Sequence, residues 1–143
     1  FGVRNAIDNL RKHPPRDVII AANISKNATT SNEEAADDYE KALTLMYDFA
    51  DMTVLNISCP NVKDLTELQD IEMLSNILDR IITMRKFNDE YHPILLKLSP
   101  DIPFEQIDEI IDLVQKTGID GIVATNTTRS REGLATQYDD VRI

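Results

Sequence analysis

The chain has few residues of the kinds that build disulfides, metal sites or nucleic-acid surfaces. Its single cysteine, Cys59, cannot form an internal disulfide, which fits a reducing compartment. One thiol and two scattered histidines do not make a metal site either. Only 15 basic residues stand against 25 acidic ones, and the net charge of -10 argues against nucleic acid as a partner. No apolar run approaches the roughly 20 residues that a membrane-spanning helix needs.

Glycine is also scarce, with four residues in 143. The sequence has neither a GxGxxG nor a GxxxxGK[ST] pattern, so no glycine-rich phosphate-binding loop is predicted. The first residue is Phe1 rather than methionine, and no signal-peptide pattern follows it. We therefore expect the sequence to begin inside a longer protein.

Strand and helix patterns alternate along the chain. Continuous aliphatic runs are typical of strands in a parallel sheet, and apolar residues at helical spacing predict helices between them. The predicted strands are the runs 18–22, 52–57, 94–98 and 121–124. The predicted helices cover 3–12, 31–50, 65–87 and 103–117, with Ser31 and Glu34 as a capping box and Phe104 in the buried stripe of the last helix.

The spacing of the strand ends favours a particular α/β fold. Asn23, Asn56, Lys97 and Asn126 follow one another at intervals of 33, 41 and 29 residues. A (β/α)8 TIM barrel of about 250 residues uses about 31 residues per unit. We therefore predict that residues 1–143 form part of such a barrel, supplying about four consecutive β/α units, with its N- and C-terminal parts missing. The alternative is a complete doubly wound open sheet.

Polar side chains collect where the predicted strands end, which is the ligand-binding edge in both architectures. None of these clusters contains aspartate or glutamate, although the chain is acidic. Amides both donate and accept hydrogen bonds, so the set suits a flat heterocycle that is uncharged or anionic. Its members are Asn23, Asn27, Asn56, Ser58, Cys59, Asn61, Lys97, Thr125, Asn126, Thr127 and Thr128.

Two of these residues have competing interpretations. Lys97 lies between Leu96 and Leu98, where a cation is costly unless an anion meets it, but its side chain could also extend along the strand to water. Cys59 could be a nucleophile, a proton-transfer base or an inert buried thiol. A hydrolase triad is not predicted, since His13 and His92 both fall in loop-like segments.

Taken together, four stretches resemble the dihydroorotate dehydrogenase family. They occur in the family's order and lie within residues 18–134, which is most of the chain. The stretches are Asn23-Ile24-Ser25-Lys26-Asn27, Asn56-Ile57-Ser58-Cys59-Pro60-Asn61, Leu96-Lys97-Leu98-Ser99-Pro100-Asp101 and Asp120-Gly121-Ile122-Val123-Ala124-Thr125-Asn126-Thr127-Thr128. The resemblance implies an FMN-containing (β/α) barrel that oxidises dihydroorotate to orotate in pyrimidine synthesis.

The resemblance also implies roles for individual residues. Cys59 falls where the family has its catalytic base, which takes a proton from C5 of dihydroorotate while hydride passes from C6 to flavin N5. Lys97 would counter negative charge at the N1/O2 edge of the reduced flavin. The implied FMN-binding residues are Asn23, Asn56, Lys97 and Thr125. The implied substrate-binding residues are Asn56, Asn61, Asn126 and Thr127.

The electron acceptor stays open between quinone, fumarate and NAD. A cysteine base resembles the soluble class 1 enzymes, whereas Leu65-Thr66-Glu67-Leu68-Gln69 and the Asn-Thr-Thr context resemble the quinone class. We expect a cytoplasmic protein, peripheral at the inner membrane if it uses quinone. We also expect that it can form a homodimer. Two alternatives remain: another FMN barrel, such as a dihydropyrimidine dehydrogenase domain, and a non-catalytic barrel fragment that binds a ligand.

Overall fold

Four strands and four α-helices alternate in the computed structural model, which describes residues 2–14, 17–57, 70–128, 130 and 132–133. A single 3-10 turn, Tyr47–Phe49, follows the second helix. In chain order the elements are α1 (Val3–Lys12), β1 (Ala21–Ile24), α2 (Ala35–Met46), β2 (Met52–Asn56), α3 (Ile71–Lys86), β3 (Ile94–Lys97), α4 (Phe104–Thr117) and β4 (Gly121–Val123).

The strands form one parallel sheet whose spatial order, β1-β2-β3-β4, is the order of the chain. Consecutive helices contact each other, α1 with α2, α2 with α3, and α3 with α4. A doubly wound sheet would reverse its strand order and place helices on both faces. The described residues instead form a segment of a barrel wall, so the predicted TIM-barrel class is confirmed and the open-sheet alternative is not.

Alternation along the strands explains why the helices cover one face. Ile24, Leu55 and Leu96 are register partners, and all three are buried. Because side chains point to opposite faces in turn, such rows share a face. These rows join the buried faces of the helices in one hydrophobic core, whose fully buried large side chains include Tyr39, Leu43, Leu74, Ile77, Leu78 and Ile81. The other face carries Asn23, Val54 and Leu95.

The helix ends have specific stabilising contacts. The Asp70 carboxylate caps α3, accepting hydrogen bonds from the backbone N–H groups of Glu72 at 3.0 Å and Met73 at 3.5 Å. Gly118 ends α4 with φ of 83°, in the left-handed region that glycine adopts without steric cost. The predicted end of that helix is therefore confirmed.

The first strand begins later than the apolar run predicts. Val18 and Ile19 precede β1 and are 62% and 78% exposed. Pairing with β2 starts only at Ala21. The residue before it, Ile20, accepts a hydrogen bond from the N–H of Asp51 at 2.8 Å. Strand pairing, rather than the apolar run itself, sets where β1 starts.

The last helix does not bury Phe104. This residue opens α4 and is 87% exposed, so its predicted place in the buried stripe is wrong. The helix buries Ile110, Leu113 and Val114 instead. Its first turn lies beyond the part that packs into the core, because no buried residue of α4 precedes Ile110.

One helix starts later than predicted, and the predicted start of another lies outside the described residues. The Ser31 hydroxyl accepts a hydrogen bond from the N–H of Glu34 at 3.3 Å, but α2 begins after this contact, at Ala35. α3 is described from Ile71, and the first residues predicted for that helix lie outside the described part of the chain.

A polar cluster holds the edge where the strands begin. Arg85 NH1 lies 2.6 Å from an Asp120 oxygen, and the same carboxylate accepts bonds from the hydroxyl of Tyr91 and the N–H of Ile94. Burial alone would raise the pKa of Asp120, but these hydrogen bonds and the charge of Arg85 hold it below its ordinary value.

His92 is buried at the same edge. Its Nε2 lies 2.9 Å from the hydroxyl oxygen of Thr53, and its ring stacks on Tyr47 with centroids 4.4 Å apart. Burial, followed by the nearby charge of Arg85, lowers the pKa of His92.

Candidate functional site

Asn56 and Lys97 lie side by side at the carboxyl edge of the sheet. They are the last register pair between β2 and β3, and both are half-buried. Neighbouring strands are about 4.8 Å apart. Their chain neighbours Leu55 and Leu96 are buried on the helix-covered face, so Asn56 and Lys97 occupy the other one. An amide and a cation are thus paired on the face that would form the interior of a barrel.

Asn23 lies on the same face but closer to the middle of the sheet. Its register partner is Val54, two residues before Asn56, which is a step of about 7 Å along the strand. Asn23 is exposed and lines a groove of about 890 Å³ between α1, β1 and α2. Three of the predicted polar residues therefore lie on one face of the sheet, at two levels along the strands.

The segment after β4 stays beside the end of β3. The N–H of Asn126 donates to the carbonyl of Leu98 at 2.9 Å, and the Thr128 hydroxyl donates to the Asp101 carboxylate at 2.5 Å. The Thr128 hydroxyl oxygen also accepts a bond from the N–H of Ser130 at 3.0 Å. These contacts bring Asn126 and its neighbours to the edge that carries Lys97.

The two predicted threonines of this segment are both exposed. Thr125 donates its hydroxyl to the backbone carbonyl of Asn126 at 2.9 Å, which is a local contact. Thr127 follows directly, one residue before the Thr128–Asp101 bond. Their predicted contacts with cofactor and substrate stay predictions.

Cys59 and Asn61 lie outside the described residues, so their predicted roles also stay predictions. The described part of this segment ends at Ile57, which is fully buried and follows β2 directly. Strand β2 ends at the carboxyl edge with Asn56, three residues before Cys59 in the sequence.

Sequence reasoning missed the side chains that hold these strand ends. Tyr39, which it treated as core, donates its hydroxyl to the Asn56 carbonyl at 2.9 Å. Asp38 accepts hydrogen bonds from both the backbone N–H and the side-chain amide of Asn27, at 2.6 to 2.9 Å. A tyrosine in a buried stripe is the one signal that could have found the first contact, because its hydroxyl needs a partner.

Lys26 is a further residue that the sequence did not single out as a site. It is only 4% exposed, and its Nζ donates to the carbonyl of Thr30 at 2.5 Å. This bond closes the loop between β1 and α2 on itself. Burial of a lysine in such a loop therefore serves the local backbone conformation.

Other kinds of site are not found in the part of the chain that the structure describes. Within it, no three histidine, cysteine, aspartate or glutamate side chains group together as a metal site would require. None of the described helices has the length and apolar character needed to span a membrane.

These features define an α/β-barrel segment whose polar site lies at the carboxyl ends of parallel strands. The family model for dihydroorotate dehydrogenase matches residues 2–142. The chain therefore belongs to the dihydroorotate dehydrogenase family, as its four motifs predicted.

Curated relatives of this chain carry the name dihydroorotate dehydrogenase (quinone). The protein from Christiangramia forsetii is 42% identical over 139 residues, which cover 95% of this chain and 39% of the relative. The protein from Corynebacterium efficiens is 41% identical over 140 residues, covering 98% of this chain and 36% of the relative. The chain thus spans about two fifths of the length of these relatives.

Solved structures agree with the fold. The crystal structure of DHODH from Eimeria tenella in complex with ferulenol matches with a TM-score of 0.76 and 27% identity, covering 92% of this chain and 39% of that one. The ligand-free structure from the same organism matches with a TM-score of 0.77 and 28% identity, covering 94% and 42%.

Proposed function

We propose that the protein to which this chain belongs oxidises dihydroorotate to orotate in pyrimidine biosynthesis, with FMN as its cofactor. The observation that carries the proposal is the Asn56–Lys97 pair on the inner face at the carboxyl edge, in a chain of this family. That edge is where barrel enzymes bind their substrates. Residues 1–143 would then supply the middle part of the barrel wall.

The residues of the inner face fit a flavin ring. FMN, when bound, would supply the acceptor for the two electrons taken from the substrate. Lys97 would meet the negative charge that develops at one edge of the ring, and the amides of Asn23 and Asn56 would bond to its polar atoms. None of the residues in β1–β4 is a carboxylate that would repel this charge. Thr125 is proposed as a further contact.

Substrate contacts are proposed for residues at the same edge. Asn56, Asn61, Asn126 and Thr127 would bond to the polar edges of the pyrimidine and orient it. Cys59 would accept the proton that leaves C5. A free thiol has a pKa of about 8.5, so a modest lowering would bring the base close to neutral pH.

Quinone is the proposed electron acceptor, because the curated relatives carry that word in their names. Fumarate and NAD, which the Cys59 resemblance left open, are the competing acceptors. A cytoplasmic location with peripheral membrane contact accords with quinone use and stays a prediction, as does a homodimer.

The full-length protein carrying Cys59→Ala tests the proposed chemistry. We expect it to keep its flavin but to bleach the flavin absorbance about 10²- to 10⁴-fold more slowly on anaerobic mixing with dihydroorotate, which is the usual contribution of a general base. Cys59→Ser, which keeps a proton acceptor, should lose less.

The unchanged protein provides the reference for this experiment. Wild-type protein that reduces its flavin with dihydrouracil but not with dihydroorotate would replace the proposal by the dihydropyrimidine alternative. A protein purified without flavin, and unable to bind it, would favour the ligand-binding alternative. Bleaching at an unchanged rate in Cys59→Ala would contradict the proton-transfer role of Cys59 but not the proposed overall reaction.

A further inference from the structure

Tyr39 connects the helix layer to the functional edge of the sheet. It belongs to α2, its side chain has no exposed surface, and its ring packs in the core with Leu43 and Leu55. Its hydroxyl donates to the backbone carbonyl of Asn56 at 2.9 Å. A buried tyrosine hydroxyl requires a hydrogen-bond partner, and the partner of this one is the carbonyl of the last residue of β2.

The position of that carbonyl makes the contact more than a core hydrogen bond. Asn56 ends β2, and its register partner is Lys97 on β3, beyond which no pair is formed between these strands. The hydrogen bonds between neighbouring strands stop at the end of a strand, so the backbone dihedrals there need another restraint. Tyr39 supplies one from the opposite face of the sheet.

The restraint acts on the side chain of Asn56 as well as on its backbone. Fixing the carbonyl of Asn56 fixes the peptide plane that follows it, and hence the direction in which its side chain leaves the inner face. A hydroxyl that touches no ligand can therefore set the geometry of the Asn56 amide.

We propose that Tyr39 is a positioning residue, which holds Asn56 in the orientation that binds the pyrimidine ring. This rests on the proposed function, because Asn56 is taken to bond to the substrate. Tyr39 itself contacts neither substrate nor flavin in this proposal. Its effect on ligand binding runs through the Asn56 backbone.

Tyr39→Phe in the full-length protein removes only the hydroxyl, and phenylalanine fills the same space in the core. We expect the dissociation constant for orotate, measured by titration calorimetry, to rise roughly two- to tenfold, as expected for the loss of one hydrogen bond. The KM for dihydroorotate should rise in parallel. The amount of flavin bound should stay close to one per chain.

Tyr47→Phe is the matched control. Tyr47 follows the same helix, and its hydroxyl also donates to a backbone carbonyl, that of Glu90, at 3.0 Å. Glu90 precedes β3, so this bond lies at the opposite edge of the sheet. Tyr47→Phe removes a more exposed bond of the same type there, and it should leave orotate affinity unchanged whatever it does to the melting temperature.

The two variants separate positioning from general stability. Weaker orotate binding in Tyr39→Phe alone supports the proposal. Wild-type affinity in Tyr39→Phe, or an equal loss in both variants, overturns it. If the wild-type protein itself binds neither orotate nor flavin, the proposed function fails and takes this inference with it. If the wild type binds both and Tyr39→Phe matches it, only the inference fails.

Discussion

Lys97 shows how a strand can carry a cation between two buried leucines. Leu96 and Leu98 are 0% and 7% exposed, whereas Lys97 is half-buried on the other face of the sheet. Alternation along the strand therefore removes the penalty that its apolar neighbours suggest. What remains is a cation beside Asn56 at an edge without carboxylates in the strands, which is an arrangement suited to an anionic partner.

Replacing Lys97 by methionine in the full-length protein should keep its packing and remove its charge. We expect the flavin reduction potential to fall, because the reduced ring would lose its counter-charge, and we expect flavin to be held more weakly. A spectroelectrochemical titration measures the first effect and fluorescence of released flavin the second. Lys116→Met, on the exposed end of α4, should change neither. Normal values in Lys97→Met would mean that Lys97 only extends to water.

His92 makes the stability of the protein depend on pH. Burial lowers its pKa from the ordinary value of 6.5, so the unfolded chain takes up a proton before the folded one does. The contribution of neutral His92 is complete above pH 6.5 and is lost as the pH falls below 6.5 toward the lowered folded pKa. Denaturant unfolding of the full-length protein at several pH values should show this loss. His92→Gln, which does not titrate, should flatten the curve between these pKa values, and an unchanged slope would contradict the assignment.

At the level of elements, single residues set one end of each of two helices: Asp70 caps the start of α3, and Gly118 ends α4. Gly118→Ala places a Cβ on a residue with φ of 83°, which should lower the free energy of unfolding by about 1 kcal/mol. Gly118→Asn should cost less, since asparagine tolerates this conformation better than alanine. Chemical denaturation of the full-length protein measures both. Equal stability of Gly118→Ala and wild type would show that the end of α4 adapts.

Periodicity predicted which elements form and where β2, β3 and β4 begin, but it did not predict where β1 begins or which residues of α4 are buried. The run from Val18 to Ala22 reads as one strand, yet only the part that pairs with β2 becomes strand. Phe104 has the spacing of a buried residue, but it lies in the first turn of α4, ahead of the core. In both cases the deciding contact comes from a residue far away in the sequence, which a local pattern does not contain.

The site divides in the same way. Asn56 and Lys97 could be predicted because strand ends are marked in the sequence by a change from apolar to polar residues, whereas Asn23 lies one residue before the end of β1. The bond from Tyr39 to Asn56 could not, because it joins residues 17 positions apart through the face opposite to the site. Sequence patterns identify side chains that face a ligand, whereas the side chains that orient them look like ordinary core.

At the scale of the whole molecule, the helices cover one face of the sheet and leave the other for the polar site. The chain matches relatives named for quinone, yet it carries Cys59, which resembles the base of the soluble class. In the proposed mechanism the base takes a proton from the substrate, whereas the acceptor takes electrons from the reduced flavin in a separate step. The identity of the base therefore need not determine the acceptor.

We predict that the full-length protein, reduced with dihydroorotate, passes electrons to a short-chain ubiquinone faster than to fumarate or NAD. Steady-state rates with each acceptor measure this preference. Cys59→Ser should change the rate with dihydroorotate but leave the order of acceptors unchanged, because the proposed role of Cys59 is to take a proton from the substrate. Faster reduction of fumarate or NAD by the wild type would place the protein with the soluble class.

The Asp120 cluster joins α3, β3 and the segment before β4 at the edge opposite to the site. The side chains that tie the sheet together there share no residue with Asn23, Asn56 or Lys97. A substitution that changes stability at that edge therefore need not alter a side chain at the ligand edge. The two edges of this barrel wall are joined by the strands and also by α2, because Tyr39 of α2 bonds to Asn56 at one edge and Tyr47, directly after α2, bonds to Glu90 at the other.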